Sequence, residues 1–346
     1  MGKYDNILKA NCCCKKNDKI IYVTEGYGLF AEFNPYTGET KILDWPLLEE
    51  RASKIFFYKN KFYAINSQGK WIAKLNFEQK DFQYIKIHRN TPFEGYLYLC
   101  VYRGKLYMLH RNTMNLIIFD LDEENFTYIE NKLPEYLKNI ETDVCSWLKD
   151  CLYIFCSNNQ LVIKFSLNEL KILSINKIIK TAKFVYAVSK DSKIYILANN
   201  TIYQYDNDEL YKLVGINNSE DILTKFCITD KKIWLLPGQG NNIYIYSLEN
   251  ASLHVLECYP NDYIYEKKYG WTKFNTWIEI NNEFIWLMRV GNYSLRINKV
   301  DDKFEWIEHF VDDENVFISR VFERVGSIDE KFLGCEEFCN YIKKID

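Results

Sequence analysis

Apolar and polar positions alternate along this chain in short bursts, and the bursts repeat. The stretch GKLYMLHRNTMNLIIFDLDEENFTYI, beginning at Gly104, shows the unit. A polar turn leads into a five- or six-residue apolar run rich in Tyr or Trp, then a polar loop, a second apolar run, a turn with Asn, Asp or Gly, and a third short strand. Related stretches begin at Asp18, Asn60, Asp150, Ser192, Lys231 and Asn282. The seven copies recur at intervals of roughly 40 to 50 residues, the spacing of propeller blades. A further apolar run precedes most copies: SKIFFY from Ser53, YLYLCVY from Tyr96, KFVYAV from Lys183 and NTWIEI from Asn275. The unit is therefore read as four consecutive antiparallel strands, ordered from inner to outer.

Burial patterning supports that order. In LYML and LIIF both alternating faces are apolar, as expected for strands sandwiched between neighbouring sheets. In NFTYIE and KFEWIE apolar and polar positions alternate, as expected near an exposed rim. One such sheet cannot cover two apolar faces, but seven around an axis can, leaving only short outer edges. The expected fold is all-β: a seven-bladed β-propeller of four-stranded antiparallel blades over residues 1–326, with a short C-terminal helix in a tail spanning 327–346. YDNILKANCCC from Tyr4 and NVFISRVF from Asn315 are the strands expected to close the ring. In the tail, Phe332, Cys335, Phe338, Cys339 and Ile342 fall at helical spacing behind Ser327 and Glu330.

The residues that carry a family resemblance are YGLFAEFNPYTGETKIL, from Tyr27, and the Gly104 unit. The first is similar to quinoprotein-type repeats, in which a strand leads into a Thr-Gly turn, here Thr37-Gly38. The second resembles the second-to-fourth strand pattern of bacterial kelch-like propellers. The resemblance implies the propeller fold. The kelch diglycine is absent from every copy and the Thr-Gly turn occurs once, so no cofactor is expected.

Composition agrees with an all-β core: 27 Tyr, 22 Phe and 8 Trp suit a pleated, buried surface. The net charge of −3 is spread rather than blocked, which gives no phosphate-neutralising field, and nucleic acid is not an expected partner. No stretch approaches the length of a membrane-spanning helix, and the amino terminus lacks a secretion signal. The expectation is a cytoplasmic monomer whose 11 cysteines stay reduced.

Chemistry is harder to find. Cys12, Cys13 and Cys14 are consecutive, so on a strand they face alternate sides and cannot converge on one ion. Cys335 and Cys339 fit the apolar side of the tail helix, and His88, His110, His254 and His309 are scattered, so no metal site is expected. No Gly-x-Ser-x-Gly elbow occurs, and PGQGNN from Pro237 is a hairpin turn rather than a phosphate loop. What remains is the loop face, built from the loops after the second strands and before the first. Candidate ligand-binding residues there are Tyr27, Arg111, Asn112, Trp147, Trp271, Trp277 and Arg289, suited to stacking on a sugar or gripping a peptide. The expected function is non-catalytic recognition of a protein or glycan-type ligand. The alternative is an enzyme at the propeller mouth, a hydrolase or lyase acting on a carbohydrate or biosynthetic intermediate. Its candidate groups are Glu25, Glu94 and Asp143, with His110 as general acid-base.

Overall fold

The computed structural model describes residues 10–325 except 25–27, 49–51, 67–68, 88–95, 111–112, 131–136, 138–139, 141, 179–182, 261–262, 264–271 and 290–291. Blade 1 is β1 (Ala10–Lys16), β2 (Lys19–Thr24), β3 (Phe30–Phe33) and β4 (Glu39–Ile42). Blade 2 is β5 (Ala52–Tyr58), β6 (Lys61–Asn66), β7 (Trp71–Asn76) and β8 (Asp81–Lys86). Blade 3 is β9 (Tyr96–Tyr102), β10 (Lys105–His110), β11 (Leu116–Asp120) and β12 (Phe126–Ile129). Blade 4 is β13 (Val144–Leu148), β14 (Cys151–Cys156), β15 (Leu161–Ser166) and β16 (Lys171–Lys177). Blade 5 is β17 (Phe184–Lys190), β18 (Lys193–Ala198), β19 (Thr201–Asp206) and β20 (Glu209–Gly215). Blade 6 is β21 (Ile222–Ile228), β22 (Lys232–Gln239), β23 (Tyr244–Ser247) and β24 (Leu253–Val255). Blade 7 is β25 (Phe274–Ile280), β26 (Glu283–Met288), β27 (Tyr293–Asn298) and β28 (Phe304–Glu308), followed by β29 (Phe310–Val311) and α1 (Glu314–Val325). This is the seven-bladed propeller expected, with consecutive antiparallel strands in every blade.

The burial gradient is also as the sequence implied. After its first residue β2, like β6, is buried at every position, whereas β24 is exposed throughout. The apolar side chains sort into seven clusters, each between two adjacent blades. An open arc of seven blades would have six interfaces. The seventh cluster joins Ile285 and Leu287 of blade 7 to Ile20 and Tyr22 of blade 1, so the wheel is shut. Truncating one of these fully buried side chains to Ala carries a cost of about 2–5 kcal/mol.

Closure differs from the expectation in one respect. The segment from Asn315 to Phe322 is not a strand but lies inside α1. Asp313 caps this helix, its Oδ1 accepting the Asn315 and Val316 N–H groups at 3.0 and 3.2 Å. Phe317 and Ile318 pack into the blade 7–blade 1 cluster, and Arg320 donates to the Trp45 carbonyl. The β-branched and aromatic residues read as a strand, but the cap that starts a helix stood just upstream. The C-terminal strand is instead the short β29, which pairs in parallel with β4 on the outer edge of blade 1. That approach requires Gly38: its φ is +83°, and a Cβ there would lie 2.1 Å from the Glu308 carbonyl oxygen. The tail over 327–346 lies outside the described residues.

Candidate functional site at the channel mouth

The seven innermost strands wall the central channel, and six carry a register shift near their starts. Such bulges bend a strand and re-aim its side chains. Past the shift, the fifth residue of each second strand defines one level of the wheel. At that level Cys12 pairs with Val23, Lys54 with Ile65, Tyr186 with Leu197, Lys225 with Leu236 and Thr276 with Leu287. Two lysines, a tyrosine and a threonine thus share one layer just inside the loop face.

Polar contacts stitch this end of the wheel from blade to blade. Asn275 Nδ2 donates to the Asn11 carbonyl at 2.9 Å, and Asn11 Nδ2 donates to the Ala52 carbonyl at 2.7 Å. Lys54 Nζ donates to the Leu99 carbonyl at 2.7 Å, and burial pushes its pKa down. Trp277 Nε1 donates to Tyr186 Oη at 2.7 Å, linking blades 7 and 5 past blade 6. Between them, Lys225 Nζ lies 4.4 Å from the centroid of the Tyr186 ring. Burial alone lowers its pKa to about 8, and among the described residues it makes no hydrogen bond or ion pair. Cys13 Sγ lies 3.2 Å from Thr276 Oγ1, and burial pushes its thiol up to about 11.

A second polar cluster holds the loops where blades 6 and 7 meet. Asp221, 2% exposed, precedes β21. Its carboxylate accepts the Asn241 and Asn242 N–H groups at 3.0 and 3.3 Å, both amides of Asn218 and Asn242 at 2.7 Å, and the Tyr244 hydroxyl at 2.7 Å. Gly240 makes this possible: at φ +99°, any Cβ would lie 2.0 Å from Asp221 Oδ1. Lys273 Nζ donates to Asn241 Oδ1 at 2.9 Å and sits 3.6 Å from the Tyr263 ring centroid. Burial lowers its pKa to about 7, against the opposing pull of Asp221.

Of the candidates named from sequence, Glu25, Tyr27, Glu94, Arg111, Asn112 and Trp271 lie outside the described residues. Asp143 Oδ2 accepts the Ser157 N–H at 2.7 Å, so its carboxylate closes its own blade's second-to-third-strand loop. His110 Nδ1 lies 2.9 Å from Thr113 Oγ1, within its own turn. Trp147 stands next to the last residue of β13, away from the loop face, with its ring 5.1 Å from Tyr102. Trp277 packs against the blade 6–blade 7 cluster, beside Phe284 and Trp286, with its Nε1 on Tyr186 Oη. Arg289 follows β26 and donates its backbone N–H to the Lys273 carbonyl at 2.7 Å. Cys12 and Cys14 are buried between blades 1 and 2 while Cys13 packs on the other face, against the blade 7–blade 1 cluster, the alternation expected of a strand. Among the described residues no group of His, Cys, Asp and Glu is disposed to hold a metal ion. Sequence reasoning missed Tyr186, Lys225, Asp221 and Lys273. For the first two a signal existed: a lysine inside the apolar run ILTKFCI, at the same level as Lys54 and Tyr186 once the repeats are aligned.

Fold and site together define a β-propeller with a polar channel mouth. No family model and no curated protein matches the sequence. Solved propellers do match in shape. A streptogramin B lyase aligns over 83% of this chain and 94% of its own, with 12% identity and a TM-score of 0.61. YCF48 bound to a D1 peptide aligns over 86% and 93%, at 10% identity and a TM-score of 0.62. PorZ, a surface component of the type-IX secretion system of Porphyromonas gingivalis, aligns over 90% of this chain and 39% of its own, at 13% identity and a TM-score of 0.58. At these identities the likeness establishes the fold, not a kelch or quinoprotein family, and the neighbours include a lyase, a propeller solved with a bound peptide and a secretion-system component. No helix among the described residues is long and apolar enough to cross a membrane.

Proposed function

We propose that this chain is a non-catalytic recognition propeller that takes a protein segment or glycan-type ligand at the loop face around its channel mouth. The observation that carries the reading is the use made of the described loop-face acids. Asp143 and Asp221 are both turned onto backbone N–H groups of their own blades, which leaves neither positioned as a free acid-base partner for the other. An exposed apolar lip supports the same reading. Val185 and Ile222, at the starts of neighbouring inner strands, are 40% and 49% exposed, as suits contact with a ligand. A propeller of similar shape is known with a peptide bound. The reading takes the chain as a monomer in a reducing compartment.

Affinity capture and a glycan array, followed by calorimetry with the ligand found, test the proposal. Saturable binding that leaves the ligand chemically unchanged, and that Ile222→Asp abolishes, is the expected result. Turnover of a carbohydrate or biosynthetic intermediate that disappears in Asp143→Asn and His110→Ala would establish the enzymatic alternative instead.

A further inference from the structure

The inner strands offer a strongly one-sided set of charges. Together their sequences contain five lysines (Lys15, Lys16, Lys54, Lys190 and Lys225) and one carboxylate, Glu279. Glu279 is paired with Lys299 at 2.7 Å. The wall is therefore cationic in a chain whose overall charge is −3.

At the level of the mouth, donors outnumber acceptors. Lys54 is held by the Leu99 carbonyl; Lys190, at the opposite end of its strand, is held by Asp230 at 3.0 Å and the Thr229 carbonyl. Lys225 has no such partner among the described residues; it has only the face of the Tyr186 ring. The Tyr186 hydroxyl accepts from Trp277 Nε1, so its own O–H is left to donate elsewhere, and no described acceptor receives it. A desolvated ammonium over the face of a phenol ring, and that phenol's own O–H with no described acceptor, ask for an acceptor carrying negative charge. The exposed side chains of Val185 and Ile222 stand at the starts of the same two strands.

We propose that Lys225 and Tyr186 form an oxyanion-binding subsite in the channel mouth, receiving a carboxylate or phosphate of a ligand whose apolar part rests on Val185 and Ile222. The proposal rests on the recognition reading, because it names the chemistry of what that mouth would accept. Trp277 acts as a positioning residue, fixing the Tyr186 ring so that its O–H and the Lys225 ammonium share one space. Burial depresses the Lys225 pKa, and a bound anion would restore it.

Competitive amine acetylation of the full-length protein tests this, with acetic anhydride at pH 7 and each lysine followed by mass spectrometry. Sodium benzoate and inorganic phosphate are the probes, with sodium chloride at matched ionic strength as reference. Raising the Lys225 pKa by one unit lowers its free-amine fraction by about tenfold, so Lys225 should be protected by about that factor while Lys54 is unaffected. Protection by benzoate alone assigns a carboxylate ligand, and protection by phosphate alone a phosphorylated one. Tyr186→Phe, which keeps the ring and removes the O–H, should weaken the protection. Equal rates at Lys225 in benzoate, phosphate and chloride overturn the subsite, as does protection unchanged in Tyr186→Phe. The two proposals fail separately. A captured partner that binds Lys225→Met as well as the parent, with no anion protection, removes the subsite alone. Anion protection in a protein that turns over its ligand removes the recognition reading alone.

Discussion

Asp221 and Lys225 lie four residues apart at the start of the same blade, and they show two opposite uses of a buried charge. Asp221 has a donor for every lone pair it can offer: two backbone N–H groups, two side-chain amides and a tyrosine hydroxyl. Lys225 has three N–H bonds and, among the described residues, only a ring face to meet them. A fully satisfied buried charge is structural, since its energy goes into holding loops. A buried charge with unspent donors, open to a channel, is a site waiting for a ligand. His309 makes a third case: both its ring nitrogens lack hydrogen-bond partners among the described residues, but it is 7% exposed and stacked 3.9 Å from Phe33. Enclosed at the blade 7–blade 1 seam, it carries the cost of burial without access to any ligand.

Substitutions should separate these cases. The largest effect is expected at Asp221. Asp221→Ala strands a set of buried donors and should lower stability by about 3 kcal/mol in urea unfolding; a loss under about 1 kcal/mol would mean water replaces the carboxylate easily. Gly240→Ala should follow it, losing about 1–3 kcal/mol from strain at positive φ and from the clash with Asp221.

His309 should reveal itself through pH. Burial lowers its pKa from 6.5 to about 3, so between these values the unfolded chain binds a proton that the folded chain refuses. Stability from this group is therefore complete above about pH 6.5 and falls as the solution is acidified, by about 1.4 kcal/mol per unit. Urea unfolding at pH 5 should show about 2 kcal/mol less stability than at pH 7.5 from this source, and His309→Phe should flatten that difference.

Lys225→Met should have the smallest effect, and one of opposite sign. It removes a desolvated cation without removing a partner, so stability at pH 7 should rise by about 1 kcal/mol. The same sign appears in the alkaline limb. With a folded pKa near 8 against a usual 10.5, the contribution of Lys225 to stability improves as pH rises through that window. A stability loss in Lys225→Met would point to a partner for the amine.

How much of this was legible in the sequence follows from where the signals lie. The blades were legible because each repeats a period-two pattern with turns at fixed offsets, and because no single sheet could cover both faces of LYML or LIIF. The segment from Asn315 to Phe322 was read as a strand because Val316, Phe317 and Ile318 satisfy strand propensity as well as helical packing. Only the Asp313 cap distinguishes the two. The site was less legible. Trp147 looked like a loop-face aromatic but stands near the far end of its strand, since the turn that fixes the strand's length lies after it. Lys225 and Tyr186 are 39 positions apart and belong to apolar runs, so they come together only through strand register. Asp221 carried no signal in the sequence, because the five groups bonded to it span residues 218 to 244.

The claim on which the functional account turns is that Lys225 lies on the channel wall with no described group to neutralise it. Lysine-selective 13Cε NMR reads this directly, by following the Lys225 resonance through a pH titration with and without benzoate or phosphate. The account predicts a midpoint near 8 in the free protein and an upward displacement when either anion binds. A midpoint at the ordinary lysine value of about 10.4, unmoved by both anions, would contradict it.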